Sequence, residues 1–440
     1  MTIVSPQIFK PYDIRAIYPT DLDEKGAEQI GRAIAVFAKT QNVIVGRDVR
    51  LSSSSIAKAL IKGITEQGAT VTDIGLCSTP QLYFASATLP NEIAVMVTAS
   101  HNPIEYNGFK ICKKGAIALS GVRGLNQIRD LAVQGIFSQS AKKGTVTQHD
   151  LSQEYQQFFL RENPSFPIRT VVDVANSVGL FEAKVLEKVC SVIPLFFELD
   201  GNFPDHIGNP MKYETLKPLQ EKVVLEKADL GISFDADADR VSFIDENGKL
   251  IPNDIVTALL ARFFPNETVL FDIRSTKQIE TEIKKVAGKP KRCRAGHVFI
   301  KEQMHELNAA FAGELSGHYY YRDVFFAESP LKTIFLLFSL LKKEQKTLSE
   351  LVKPLQCLFQ SGEINSKVSN QQETMQKIKG HFASQGAKLS FLDGITIEFS
   401  DWWFNLRPSN NEPLLRLNLE ADSKETMEQK TKEVLSLIRS

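Results

Sequence analysis

The chain has 440 residues, 43% hydrophobic and 24% charged, a balance that excludes a disordered or fibrous protein and calls for roughly two to four globular domains. Lys and Arg total 52, as do Asp and Glu, which argues against a dominant nucleic-acid-binding surface and leaves room only for a local basic pocket. Five dispersed cysteines without metal-ligand spacing, an N-terminus without a signal-peptide pattern and apolar runs too short to span a bilayer exclude a disulfide scaffold and a membrane protein; a reduced, cytoplasmic compartment is expected.

Residues 42–46 read as a buried strand, and Ser53 to Ser55 as the cap of a helix whose apolar stripe is Ile56, Leu60, Ile61 and Ile64. Strands follow at 70–75 and 92–97, and this alternation predicts a mixed, largely parallel sheet with helices on both faces. The last strand runs into Thr98-Ala99-Ser100-His101-Asn102-Pro103, with Asn107-Gly108-Phe109-Lys110 close behind. A serine at a strand end beside small residues is exposed for covalent chemistry, although the same fragment also reads as an Asn-Pro turn with incidental serine and histidine. No Gly-x-Ser-x-Gly elbow is present, so a serine hydrolase is not expected.

A second α/β unit starts at 169–174 and ends at Asp235-Ala236-Asp237-Ala238-Asp239-Arg240, between strands expected at 228–234 and 241–245. Carboxylates in that spacing converge only on a strand end or loop, where their repulsion needs a cation; oxygen ligands of this charge density suit a hard ion such as Mg²⁺. A calcium-binding EF-hand is excluded because Arg240 stands where that loop needs glycine, and strands replace the flanking helices. An arginine beside three carboxylates suits a site that balances a metal against an anionic ligand. A third unit runs from Asn253 through a strand at 269–272 to Gly313-Glu314-Leu315-Ser316-Gly317-His318, whose polar groups suit sugar hydroxyls or form only a glycine turn. From about Ser361 a different, α+β pattern begins, with strands at 388–391, 395–406 and 414–420 and helices at 371–382 and 424–438. In it, Arg407-Pro408-Ser409-Asn410-Asn411-Glu412-Pro413 either clasps a phosphate or is only a hairpin loop.

These four segments, in this order, resemble the α-D-phosphohexomutase superfamily over essentially the whole chain, starting with Phe9-Lys10-Pro11-Tyr12-Asp13-Ile14-Arg15. Residues 296–301, 361–367 and 401–406 look like its bacterial phosphomannomutase group, which includes bifunctional phosphomannomutase/phosphoglucomutases. The resemblance implies an α/β fold of three related domains with mixed sheets (1–148, 149–250, 251–358) and a C-terminal α+β domain (359–440), arranged around a central cleft. It also implies an enzyme that interconverts mannose 1-phosphate and mannose 6-phosphate, supplying nucleotide-sugar synthesis, with glucose phosphates as further substrates. Ser100 would carry the phosphoryl group and, with Asp235, Asp237 and Asp239, hold Mg²⁺; a hexose 1,6-bisphosphate would be intermediate and activator. Arg240 would stabilise the transferring group, and His101, Lys110 and His318 are the candidates for proton transfer. Glu314 and Ser316 would read sugar hydroxyls; Arg407, Ser409, Asn410 and Asn411 would bind the phosphate not in transfer; Tyr12, Arg15, Arg274 and His297 match further substrate-contacting positions. A hexose phosphate is the expected partner, with no nucleic acid or membrane, and a monomer or weak dimer is the expected assembly.

Three positions depart from the family pattern. Ala236 and Asn411 replace the usual glycine and threonine, and residues 203–210 vary from their commonest form. The methyl group of Ala236 requires a helical or extended backbone there. The rival activities are a Mg²⁺-dependent sugar phosphatase, a phosphoglucomutase as the main activity, and a non-catalytic sugar-phosphate-binding protein; intact Ser100 and the aspartates oppose the last.

Overall fold

The computed structural model describes residues 4–39, 42–138, 140–409 and 414–440. The chain divides into two compact units: Met1–Ile251 with Met304–Asn308 and Ser316–Leu348, and Pro252–Gln303 with Ala309–Leu315 and Ser349–Ser440. No described helix is long and apolar enough to cross a membrane.

The first unit begins with a mixed sheet in the order Ile14–Ile17, Tyr106–Lys113, Ile93–Val97, Asn42–Arg47, Thr70–Leu76, Val146–Gln148. Asn42–Arg47 lies parallel to both Thr70–Leu76 and Ile93–Val97, as β-α-β crossovers require, whereas Tyr106–Lys113 returns antiparallel after a short loop. Every residue of Ile93–Val97 is buried, the mark of a strand covered on both faces. The helices Glu24–Ala38 and Ser53–Glu66 touch backbone to backbone at two glycines. A Cβ on Gly31 would stand 2.2 Å from the Leu60 carbonyl oxygen, and one on Gly63 1.9 Å from that of Glu28. The expected cap shifts by one residue: Ser52 is the N-cap without a side-chain cap bond, and Ser53 opens the helix with its hydroxyl turned to Asp48.

The same unit holds a second mixed sheet in the order Leu250–Ile251, Val241–Asp245, Leu230–Phe234, Arg169–Asp173, Ser191–Leu195. Leu230–Phe234 runs parallel to Arg169–Asp173 and antiparallel to Val241–Asp245, so a tight loop closes it at Phe234↔Val241. The antiparallel pair of Tyr319–Tyr321 and Ala327–Glu328 leads to the helix Pro330–Glu344. An aromatic cluster of Phe84, Tyr155, Phe158, Phe159, Phe325 and Phe335 fills the space between its elements.

In the second unit, Thr268–Asp272 runs parallel to Lys289–Cys293 and Phe311–Gly313. The tail is an antiparallel sheet in the order Phe359–Lys367, Leu414–Ala421, Trp402–Pro408, Ile395–Glu398, Lys388–Ser390, with helices Gln371–Ala383 and Lys424–Arg439. The single strand expected at 395–406 is a hairpin, Ile395–Glu398 paired with Trp402–Pro408 in the register Ile395↔Leu406. Ser400 and Asp401 make its turn, and an apolar run on each side of it hides the break in the sequence. Glu420 ties the unit together: it accepts from Lys277 N–H at 2.9 Å, Trp403 Nε1 at 2.8 Å and Gln360 Nε2 at 3.1 Å.

Candidate active site

The loop after Ile93–Val97 carries Ser100 in the left-handed region, φ +49°, an unusual conformation for a residue with a side chain. Ser100 N–H donates to Thr98 Oγ1 at 2.9 Å, and Arg15 donates to the Ala99 carbonyl and to Asn102 Oδ1. The Ser100 hydroxyl is buried, 3.1 Å from Asp235 Oδ2 and 3.1 Å from His101 Nδ1.

Asp235 comes from the turn that joins Leu230–Phe234 to Val241–Asp245, so sheet geometry and not local sequence aims it at Ser100. Asp235, Asp237 and Asp239 are 0, 0 and 2% exposed, and one oxygen from each lies within 4.8 Å of the others. Ala236 stays out of the left-handed region, as expected, and the turn places Ala238 there instead, at φ +60°. The segment 203–210 seats this turn: Gly208 O accepts from Ala236 N–H at 3.2 Å, and a Cβ on Gly208 would stand 2.8 Å from that nitrogen.

Charge governs the site. Burial first, then the Asp237 and Asp239 charges, push the Asp235 carboxyl well above the usual carboxylate range. Burial and Asp239 also act against ionised Asp237, but Lys110 and Thr79 hold it below its ordinary value. Lys110 Nζ donates to Asp237 Oδ2 at 2.6 Å and to Asp239 Oδ2; burial pulls the ammonium down, and the two carboxylates outweigh it and raise its pKa. Thr79 donates to Asp237 Oδ2 at 2.8 Å and to its carbonyl at 2.9 Å. Asp237 Oδ1 is buried and has no hydrogen-bond partner among the described residues. An orphaned carboxylate oxygen amid three convergent aspartates, with a serine hydroxyl 3.1 Å from one of them, fits a hard divalent cation.

Arg240 borders the triad, with Nε 3.6 Å from Asp235 Oδ2 and 3.0 Å from His318 Nε2. Since Arg240 Nε donates there, His318 Nε2 accepts and Nδ1 carries the proton, facing the Asp239 carbonyl at 3.1 Å. Glu328, from the strand Ala327–Glu328, reaches the same corner, within 4.8 Å of Asp239 and His318. Burial, then Arg240 and Arg15, hold the His101 imidazole down to about 2, hence neutral.

The remaining site residues behave differently. Tyr12 is half-buried in the bend before Ile14–Ile17, and Ser316 offers a hydroxyl that makes no hydrogen bond among the described residues. In the second unit, Arg274 grips Asp272 with Nη2 2.5 Å from Oδ2 and faces Glu314 Oε1 at 3.4 Å. Asp272 also accepts from Leu315 N–H at 3.0 Å, so one carboxylate fixes both Arg274 and the Glu314 loop. His297 begins the helix His297–Leu307 directly after Gly296, whose φ is +116°. Arg407 and Arg416 share Glu363, at 2.7 and 3.2 Å, and Arg416 Nη2 lies 3.4 Å from Ser409 Oγ. Asn410 and Asn411 lie outside the described residues.

Sequence reasoning missed Arg50, Thr79, Asp272 and Glu363, which touch the expected site residues from elsewhere in the chain. Their signal was positional: Asp48-Val49-Arg50 and Asp272 stand at the carboxyl ends of parallel strands, where α/β sheets build their sites.

Four family models match the chain in order: phosphoglucomutase/phosphomannomutase α/β/α domains I, II and III at residues 6–134, 150–248 and 252–357, and the C-terminal domain at 363–437. A phosphomannomutase of Methanocaldococcus jannaschii is 39% identical, with 98% of this chain and 97% of that one covered. A phosphomannomutase of Escherichia coli K12 is 36% identical, with 98% of each covered. A crystal structure of a phosphoglucomutase/phosphomannomutase family protein from Burkholderia thailandensis superposes with TM-score 0.92 at 27% identity, covering 99% of this chain and 98% of that one. With its four domains in order and its aspartate triad facing a strand-end serine, this chain belongs to the phosphoglucomutase/phosphomannomutase family.

Proposed function

We propose that this protein is a phosphomannomutase that interconverts mannose 1-phosphate and mannose 6-phosphate through a phosphoserine at Ser100 and a hexose 1,6-bisphosphate, with glucose phosphates as further substrates. The observation that carries this reading is the Ser100 hydroxyl 3.1 Å from one of three buried, convergent aspartates in a chain with all four family domains.

Phosphoryl transfer asks a protein mainly to position the reacting oxygens and to offset charge. Asp235, Asp237, Asp239 and Ser100 would hold Mg²⁺, which when bound neutralises part of the charge of the transferring group. Arg240, kept at the edge of the triad by His318, adds a second positive charge. Among the three candidates for proton transfer, His101 is the one in contact with Ser100, although burial and the nearby arginines make its imidazole a weak base. Its Nδ1 lies 3.1 Å from Ser100 Oγ, whereas Lys110 is bound to two aspartates and His318 Nε2 accepts from Arg240. We assign sugar recognition to Tyr12, Arg15, Arg274, His297, Glu314 and Ser316, and the phosphate not in transfer to Arg407, Ser409, Asn410 and Asn411. The four-domain partition at 148, 250 and 358 belongs to the same reading.

The test is a ³¹P NMR time course with mannose 1-phosphate, Mg²⁺ and a trace of hexose 1,6-bisphosphate. A growing 6-phosphate resonance without inorganic phosphate is expected; inorganic phosphate alone would replace the mutase by a phosphatase. Repeating the course with glucose 1-phosphate ranks the sugars.

A further inference from the structure

Arg50 is buried in the first unit, directly before the helix Ser53–Glu66, and its side chain is 0% exposed. Its two terminal nitrogens donate to four carbonyl oxygens of one loop: Nη2 to Ser100 and Asn102, each at 2.7 Å, and Nη1 to Pro103 at 2.8 Å and Tyr106 at 3.0 Å. The remaining nitrogen, Nε, faces Asp48 Oδ2 at 3.4 Å, and Asp48 is itself anchored through its N–H to the Val97 carbonyl at 3.0 Å. Asp48 Oδ1 accepts from Arg50 N–H at 3.0 Å and from the Ser53 hydroxyl, and the Phe203 ring lies 5.5 Å from the guanidinium carbon. A planar guanidinium aims its N–H bonds in a fixed fork, so four carbonyls matched to it are held in one mutual arrangement.

That arrangement includes the strained residue. At φ +49°, Ser100 is in a conformation that L-residues leave unless their surroundings over-determine it. Its carbonyl is turned to Arg50 while its hydroxyl is turned to Asp235, so the two contacts fix opposite sides of the same residue. Without the guanidinium, the four carbonyls would lose the donor they share, Pro103 alone keeping the Tyr106 N–H at 3.0 Å among the contacts described, and the loop would relax by turning the others outward.

We propose that Arg50 is a positioning residue for phosphoryl transfer, holding the Ser100 loop in the left-handed turn that presents Oγ to the carboxylate triad. The inference rests on the reading that Ser100 carries the phosphoryl group. Arg50 donates to no side chain assigned to the sugar or its distal phosphate and meets Arg15 only through the shared Ser100 loop, so its loss acts first on turnover. Lysine keeps the charge, but a single nitrogen cannot serve four carbonyls spread along a fork.

The experiment compares wild type, Ser100→Ala, Arg50→Lys and Phe203→Leu for kcat, KM and the rate at which hexose 1,6-bisphosphate phosphorylates the enzyme. Near-UV circular dichroism gives the folded fraction of each variant. Arg50→Lys is expected to lower kcat and the phosphorylation rate about 100-fold, the scale for a displacement near 1 Å, with KM within about twofold. A merely structural role predicts a kcat loss no larger than the loss of folded protein. Retained turnover in Ser100→Ala would overturn the phosphoserine reading, and this proposal with it. Lost turnover in Ser100→Ala, with wild-type kcat in folded Arg50→Lys, would overturn the Arg50 proposal alone. Should Arg50→Lys not fold, Phe203→Leu decides: a kcat loss of about threefold at constant KM and constant half-saturating Mg²⁺ supports the proposal, whereas unchanged kcat, or a loss that excess Mg²⁺ restores, overturns it.

Discussion

The aspartate turn and the arginine pair of the tail solve opposite electrostatic problems. Around Ser100, three carboxyl groups are buried together, and Lys110, Thr79, Arg240 and backbone N–H groups each hold a particular oxygen. In the tail, two arginines share the one carboxylate of Glu363, 28% exposed, which burial raises and the arginines pull below its ordinary value. The first arrangement is tight and charge-dense; the second sets two guanidinium groups on one carboxylate and keeps the Nε donors of Arg407 and Arg416 without a hydrogen-bond partner among the described residues. On the proposed reading, chemistry and binding are separated in this chain: the carboxylates of the triad are buried and held by neighbouring donors, while the tail arginines share a partly exposed carboxylate that a phosphate would displace.

Mutations test that separation. The largest effect is expected from Ser100→Ala, which removes the proposed phosphoryl carrier and should lower kcat by roughly four orders of magnitude or more. Chromatographic separation of the hexose phosphates measures it, and residual turnover near wild type would break the comparison. Asp237→Asn should lower kcat roughly 10²–10³-fold and raise the half-saturating Mg²⁺ concentration, as read from initial rates across a Mg²⁺ titration. Arg407→Ala should instead act on KM, by about 1.5–3 kcal/mol for a lost charged hydrogen bond, with kcat little changed. A kcat loss at constant KM in that variant would show that the tail takes part in the chemical step.

The last effect concerns stability and leaves the site's chemistry alone. Glu182 accepts from Ser78 Oγ at 2.6 Å and from Tyr155 OH at 2.9 Å, and Ser78 precedes the Thr79 that holds Asp237. Burial pushes its carboxyl up to about 7 from an ordinary 4.5, and the two hydroxyls offset only part of that. Between those values the folded protein keeps a proton that the unfolded chain has released. Stability therefore falls as pH rises through this window, by up to roughly 3 kcal/mol. Glu182→Gln should flatten the difference between urea midpoints at pH 5 and pH 8, and an unchanged slope would remove Glu182 as its source.

Much of the fold was legible because strand and helix periods are local. Residues 42–46, 70–75 and 241–245 read as strands and are strands, and the strand expected at 169–174 ends one residue early at Asp173, since buried β-branched runs leave little choice. The hairpin in 395–408 was not legible, because an apolar run on both sides of Ser400-Asp401 looks continuous. The chemically loaded segments were legible too, as Ser100, the aspartates and Arg407 carry dense polar groups at strand ends.

What the sequence determined by itself is the inventory: a strand-end serine, three aspartates at alternate positions and a polar loop opened by Arg407, each built from neighbours in the chain. Tertiary structure decided which of them meet. It set Ser100 Oγ beside Asp235, 135 residues away, turned Lys110 toward Asp237 and Asp239, and put Arg50 beneath the Ser100 loop. Such contacts depend on sheet register and crossover packing, which arise from the burial of whole faces, and no local stretch of residues encodes them.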